Sequence, residues 1–258
     1  MNRLRAAFAR EHRSLWIVGA AAFLAGGLAS LPATMLAAAA KARSPFLEIG
    51  AAEGTIWRGA FIDAAHDGLS LGRIDYRLSA LSLLSGRMSA DAAASGGALS
   101  ANGRISAGVR RIEVSGLDAR FNLAAIRRYT IFGLRYQGVA QLTAEKIVLS
   151  EKTCEAEGVE IATNALDPLA RRWSGEGLPL KGAARCESGE LVFALVGENR
   201  EGGVELTVRI RPDLSYAMTV MAEPRRAEVG AALRAAGFEG DNGALAFRAT
   251  GRLRGLTS

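Results

Sequence analysis

The sequence predicts a mainly β protein: a single N-terminal transmembrane helix followed by a curved, mostly antiparallel β-sheet domain with one or two short helices. Three observations carry this expectation. Residues Ser14 to Ala40 hold no charged side chain. Short apolar–polar alternations then recur from Leu47 to Ala249, as half-buried strands require. No long helical run separates them, so parallel βαβ units are absent and the sheet should be mainly antiparallel.

The elements follow in order. Residues 1–13 form a basic leader in which Arg3, Arg5, Arg10 and Arg13 are opposed by Glu11 alone. Residues 14–40 are assigned to a membrane anchor, because a helix of about 20 apolar residues crosses the hydrocarbon core. The arginines on its flank resist translocation and hold that end in the cytoplasm. Residues 41–258 are then an exported β-rich domain. A cleaved signal peptide competes with this reading, since Ala38, Ala39 and Ala40 precede Lys41 as a peptidase prefers. The uncharged core Leu15–Leu31 is 17 residues long, longer than the 7–15 typical of a signal. The apolar run also continues through Met35 and Leu36, which favours a retained anchor. Ala22, Gly26 and Ser30 fall four apart on one face, a spacing that lets membrane helices approach closely. Alanine is frequent enough here to give the same spacing by chance.

Beyond the anchor, Lys41 to Pro45 reads as a polar link and Leu47-Glu48-Ile49 as a strand. Gly54-Thr55-Ile56-Trp57-Arg58-Gly59 is a β-rich hexapeptide between glycines, which supply bends where a strand curves. Leu69 and Leu71 share a face, and Ile74, Tyr76 and Leu78 share one in shifted phase, which places a bulge at Gly72. Ala92 to Gly97 reads as a loose turn. Ile112 and Val114 precede Gly116, after which Leu117, Ala119 and Phe121 resume in shifted phase. A weak helix is expected over Asn122 to Tyr129. Leu191, Phe193 and Leu195 form one strand face, and Val204, Leu206, Val208 and Ile210 another. Arg211 to Ser215 then suits a hairpin into Tyr216, Met218 and Val220. A helix over Pro224–Ala236 carries Val229 and Leu233 four apart, with Gly237 as its C′ residue. Leu245, Phe247 and Ala249 close the chain as a strand.

Charge and composition exclude several functions. The formal net charge is +6, yet without residues 1–13 only 28 basic and 25 acidic residues remain. No basic run with interleaved aromatics occurs among them, so nucleic-acid binding lacks support. The pairs Arg110-Arg111, Arg127-Arg128, Arg171-Arg172 and Arg225-Arg226 read as solvated turns or faces. His12 and His66 are the two histidines. His66 and Asp67 are adjacent, and adjacent residues on an extended chain point to opposite sides. His66 therefore reads as a turn histidine, and Ser-His-Asp chemistry has no second candidate. Asp63 with Asp67, and Glu155 with Glu157 and Glu160, are close in sequence but sit among turn and edge signals. Gly202-Gly203 lacks the lysine and helix of a phosphate loop. No catalytic residue, cofactor or metal is expected.

Cys154 and Cys186 are the two cysteines. In an exported domain two cysteines pair more readily than they stay free. Closing a loop of about 33 residues removes unfolded-state entropy worth roughly 3–4 kcal/mol.

Together these features resemble the N subunit of bacterial type II secretion. The residues that carry the resemblance are the leader and anchor, Leu31-Pro32-Ala33, the Gly54-Thr55-Ile56-Trp57-Arg58-Gly59 block, the Cys154…Cys186 pair, and the closing series Ala232-Leu233, Gly237-Phe238, Asp241-Asn242-Gly243 and Gly251-Arg252-Leu253. The resemblance implies a non-enzymatic, single-pass inner-membrane component with its bulk in the periplasm. Its partners would be other inner-membrane secretion components and the membrane. Distant similarity to AsmA-like envelope proteins implies the alternative, lipid bound or guided along a β-groove. Trp57, with Gly54 and Gly59, is the expected groove or partner contact, set against a plain packing role for a buried aromatic.

Overall fold

The computed structural model describes residues 16, 19–20, 22–23, 26–108, 111–126, 130–131, 134–135, 137–150, 153–240 and 243–252. Fifteen strands form one open sheet in which every pairing is antiparallel. Along it lie β1 (Leu47–Glu48), β3 (Arg58–His66), β4 (Leu69–Leu78), β5 (Met88–Gly96), β6 (Leu99–Ala107), β7 (Arg111–Asn122) and β10 (Val139–Ser150). The path continues through β12 (Glu160–Thr163), β13 (Leu180–Glu187), β14 (Glu190–Asn199), β15 (Gly202–Ile210), β16 (Ser215–Pro224) and β17 (Leu245–Arg252). Off this path β2 (Ala51–Gly54) pairs with β3 and β11 (Cys154–Glu157) with β10. A separate two-stranded ribbon joins β8 (Thr130–Ile131) and β9 (Leu134–Arg135).

Directly opposed residues share a sheet face, so the register sorts the two faces. One row runs Ile74, Ala94, Ala101, Ala119, Leu142. It has its counterpart further along in Leu195, Leu206, Val220, Phe247. The neighbouring rows run Asp75, Ala93, Asn102, Asp118, Thr143 and Ala194, Thr207, Thr219, Arg248. One face is therefore apolar and its reverse polar, the pattern expected of an antiparallel sheet with one solvated side.

The two phase shifts in the sequence are both bulges. β3 and β4 lose register around Ala64 and Gly72, and β6 and β7 between Asn102 and Arg104, opposite Gly116. Gly72 (φ 77°) and Gly116 (φ 59°) take the left-handed conformation that such a bulge needs. The hairpin at Arg211–Ser215 is also present, closed by the Arg211 N–H donating to the Ser215 carbonyl at 2.9 Å.

Other expectations are corrected. Ala92–Gly96 belongs to β5, and the turn lies beyond it; alanines in that stretch alternate inward against their cross-strand neighbours, which overrides their weak strand preference. Lys41–Arg43 is helical rather than a link. With the alanines before it, this stretch forms α1 (Ala33–Arg43), which packs on β1, β2 and β3 and buries Ala33 and Ala37. Pro224 ends β16, and the helix that follows is α4 (Ala227–Ala235) with Gly237 at φ 91° behind it. Over Asn122–Tyr129 the described residues give only a single 3₁₀ turn, Leu123–Ala125. Two further short helices appear, α2 (Ala80–Leu84) and α3 (Asp167–Ser174). The second of these has its own sequence signals, Pro168 in the first turn and Gly175 after the last.

Among the described residues no helix is long and apolar enough to cross a membrane. Within 14–40 the described residues from Trp16 to Ala29 are helical, Ser30 turns, and Pro32 bridges to Thr55 before α1 starts. Proline disfavours helical backbone at the residue before it, which separates α1 from whatever precedes it. Residues 33–40, expected in the anchor, thus lie in the helix that packs on the sheet.

The ladder narrows at a seam while the apolar core runs across it. The ladder between β7 and β10 holds eleven residue pairs, whereas β12 and β13 share four. β11 and β12 are one interrupted strand along the edge of β10, and β13 pairs only with the β12 half. Cys154 on β11 is bonded to Cys186 on β13 where that ladder has lapsed, with 5.7 Å between their Cα atoms. Both sulfurs pack on Ala144, Val159, Ala184 and Leu191. Replacing both cysteines by serine should lower unfolding free energy by about 3 kcal/mol. The urea midpoint reads this, and amide exchange should rise first at residues 160–163 and 180–183.

Candidate functional site

The Gly54–Gly59 block is the turn that joins β2 to β3. Gly54 and Gly59 sit directly opposite each other. A Cβ on Gly59 would run into the Glu53 carbonyl and stand 2.7 Å from Tyr76 Oη, so the close backbone approach requires glycine there. Tyr76 is buried, its hydroxyl donates to the Thr55 carbonyl at 2.8 Å, and desolvation raises its pKa. Its ring lies 4.9 Å from that of Phe61.

Trp57 is half-buried at the tip of this turn. Its indole Nε1–H donates to the Leu28 carbonyl at 2.9 Å, and its own carbonyl accepts from Leu78 N–H at 2.8 Å. The Ile56 N–H likewise donates to the Leu31 carbonyl at 2.9 Å. The block therefore ties the N-terminal segment to the sheet. Gly59 lines a shallow dish of mixed lining, together with Arg58, Arg77, Asp91 and Arg104. Trp57 and Gly54 line neither this dish nor the apolar cavity described next.

That cavity is the feature sequence reasoning did not locate. It holds about 430 Å³ on the apolar face, between α3 and α4 and over β15, β16 and β17. Leu206, Met218, Val220 and Phe247 supply its floor, Leu166 and Leu169 one wall, Val229 and Leu233 the other. The helix expected over Pro224–Ala236 is thus present as α4, and it covers only part of the face. Val204, Ala222 and Leu245 pack with α4, while Leu206 and Val220 stay accessible in the trough. Asn199, Glu201 and Glu223 form the polar rim. One Glu201 oxygen lies 3.5 Å from Arg226, and the other is buried without a hydrogen-bond donor.

The remaining candidates are placed as follows. His66 ends β3 beside the Phe46 ring, at 6.4 Å, and Asp67 follows in the turn with φ 50°. Glu155 bonds Lys146 at 2.7 Å across β10 and β11, which holds its pKa below the ordinary range, and Arg104 does the same for Asp91. These carboxylates serve cross-strand pairs rather than facing one another. Arg171 and Arg172 are exposed, and Arg225 and Arg226 pair with Glu198 and Glu201; Arg110, Arg127 and Arg128 lie outside the described residues. No group of three His, Cys, Asp or Glu able to hold a metal occurs among the described residues. Ala22 and Gly26 are helical and exposed, a Cβ on Gly26 would meet nothing within 4 Å, and Ser30 bonds back to the Gly27 carbonyl.

The strand edge completes the picture. β17 pairs with β16 on one side, and on the other, among the described residues, only Ala246 is bridged, by Glu239. Alternation places the backbone groups of Arg248, Thr250 and Arg252 outward on that same side, where no described strand pairs with them.

The fold defines the class, an open antiparallel β-sheet domain with one apolar face partly roofed by short helices. Residues 45–248 match the family model for protein N of the type II secretion system, and the chain belongs to that family, a subunit of the secretion machinery. No curated protein and no solved structure matches the chain.

Replacing Trp57 by phenylalanine keeps the ring and removes the bond to Leu28, at a cost of about 1 kcal/mol. Amide exchange around residues 26–32 should quicken while β14 and β15 keep their protection.

Proposed function

We propose that this chain is a non-enzymatic, single-pass inner-membrane component of type II secretion that acts through protein–protein contacts. Residues 1–13 stand in the cytoplasm, the uncharged segment from residue 14 spans the membrane up to the turn at Ser30, and the sheet lies in the periplasm. Ala22, Gly26 and Ser30 are the small residues through which that segment packs on another membrane helix. The family match carries the assignment to the machinery. The stretch Arg248–Arg252 of β17, which pairs with no second strand among the described residues, supports a contact by strand addition, because outward N–H and C=O groups accept another chain without rearrangement.

Alkaline phosphatase fused behind residue 45 should be active, and a cytosolic reporter at the same point silent. A photo-reactive side chain at Thr250 should cross-link to another inner-membrane secretion component in cells with an intact system, and one at Asp118, on the polar face of an interior strand, should not. Equal labelling from both positions would exclude the β17 edge as the contact.

The apolar trough supports a second reading, that the domain binds or guides lipid. Its volume of about 430 Å³ falls in the range of small-ligand pockets, and the sheet floor there is aliphatic and aromatic. Under this reading, mass spectrometry of the detergent-purified protein finds lipid at a fixed ratio. Val220→Trp, which fills the trough floor, should lower that ratio several-fold without lowering the melting temperature.

A further inference from the structure

One end of the sheet is apolar on its rim and carries three arginines, Arg58, Arg77 and Arg87. Leu81 on α2 is 78% exposed, and Leu83, Met88, Ile105 and Ile112 lie between 45% and 49%. They come from separate segments, yet the fold gathers them: Met88 opposes Ala107, which opposes Ile112, Ile105 lies in the next row on the same face with Ala90 and Val114, and α2 lies against β5. A cluster of this kind is a site of contact with an apolar partner rather than scattered surface hydrophobicity.

The same end receives the uncharged N-terminal segment. Leu28 is held by Trp57, Leu31 by Ile56, and the Trp57 carbonyl accepts from Leu78, two residues before α2. Trp16, Phe23 and Leu28 in that segment are exposed. Two apolar surfaces therefore adjoin at one end of the molecule.

Charge points to what covers them. Arg58 stands directly opposite Arg77 across β3 and β4, and like charges in that position are destabilising. Asp91 follows in the row but bonds Arg104 at 2.7 Å. Arg58 and Arg87 have no carboxylate partner among the described residues. Lipid phosphates neutralise such arginines, whose long stems let the guanidinium reach headgroup level beside buried apolar side chains.

We propose that this end of the domain docks on an anionic bilayer surface, with Leu81, Leu83, Met88, Ile105 and Ile112 inserted below the headgroups and Arg58, Arg77 and Arg87 among the phosphates. The inference rests on the proposed anchor, which brings this end to the membrane. The sheet then stands with its strands rising from the bilayer, and the α3–α4 trough lies at the far end.

The test uses the full chain in vesicles of phosphatidylethanolamine and phosphatidylglycerol. Single cysteines replace Leu81, Ile105 and Val196 and carry an environment-sensitive NBD probe, since Cys154 and Cys186 are bonded to each other and do not react. Val196 is 60% exposed, on the polar face and toward the other end. Docking gives blue-shifted, brighter emission at Leu81→Cys and Ile105→Cys and water-like emission at Val196→Cys. It also makes the shift smaller when phosphatidylcholine replaces phosphatidylglycerol. Water-like emission at all three positions overturns the proposal, and so does an equal shift at all three. An alkaline carbonate wash scores the anchor separately. If the wash strips the chain from vesicles that showed the shift, the anchor fails and the docking surface stands. If the chain is retained without a shift, the reverse holds.

Discussion

The structure depends on the seam between β12 and β13. An open sheet of this width transmits order sideways through its ladders, and a narrow ladder in its interior sets how well its two parts act as one body. Four residue pairs join the two parts, against eleven between β7 and β10. The Cys154–Cys186 bond lies where hydrogen bonding has lapsed and adds a covalent tie at that point. It also lies inside the apolar cluster of Ala144, Val159, Ala184 and Leu191, so packing and cross-link reinforce each other. An exported domain can keep such a bond; a cytosolic one would not.

A second constraint follows from amphipathicity. A sheet with one apolar face must cover it, and here the connections supply the cover. Alanines at Ala33 and Ala37 let α1 come close to β1–β3, and α4 lays Val229 and Leu233 over Ala222 and Leu245. The helices are short, so cover is incomplete, and what they leave is the trough over Leu206 and Val220 and the exposed rim at Met88, Ile105 and Ile112. The regions available for binding are those that short connections cannot reach.

Much of the fold was legible. The phase shifts after Leu71 and Val114 located both bulges, because side chains alternate with period two and an inserted residue must displace everything after it. Val204 to Ile210 and Tyr216 to Val220 read correctly as paired strands because their large apolar residues alternate without interruption. Ala92–Gly96 did not read as a strand, since alanine signals neither burial nor exposure. α1 was hidden for the same reason, inside an alanine-rich run that is continuous with the uncharged segment before it. α3 was marked by Pro168 and Gly175 but is eight residues long, too short for a periodic pattern to build.

Trp57 shows where the sequence stops. Its block is recognisable as a glycine-bracketed turn, yet that its indole would reach Leu28, 29 residues earlier, depends on where the chain doubles back. The sequence by itself determined the strand class, the antiparallel order, the bulges and the chemistry available to the cysteines, because each of these is set by residues near one another along the chain. Tertiary structure alone decided the seam, the trough, the open side of β17 and the gathering of Leu81, Met88, Ile105 and Ile112 at one end. These arise from lateral registers between distant segments, and a residue's own neighbours in sequence hold no record of which strand will lie beside it.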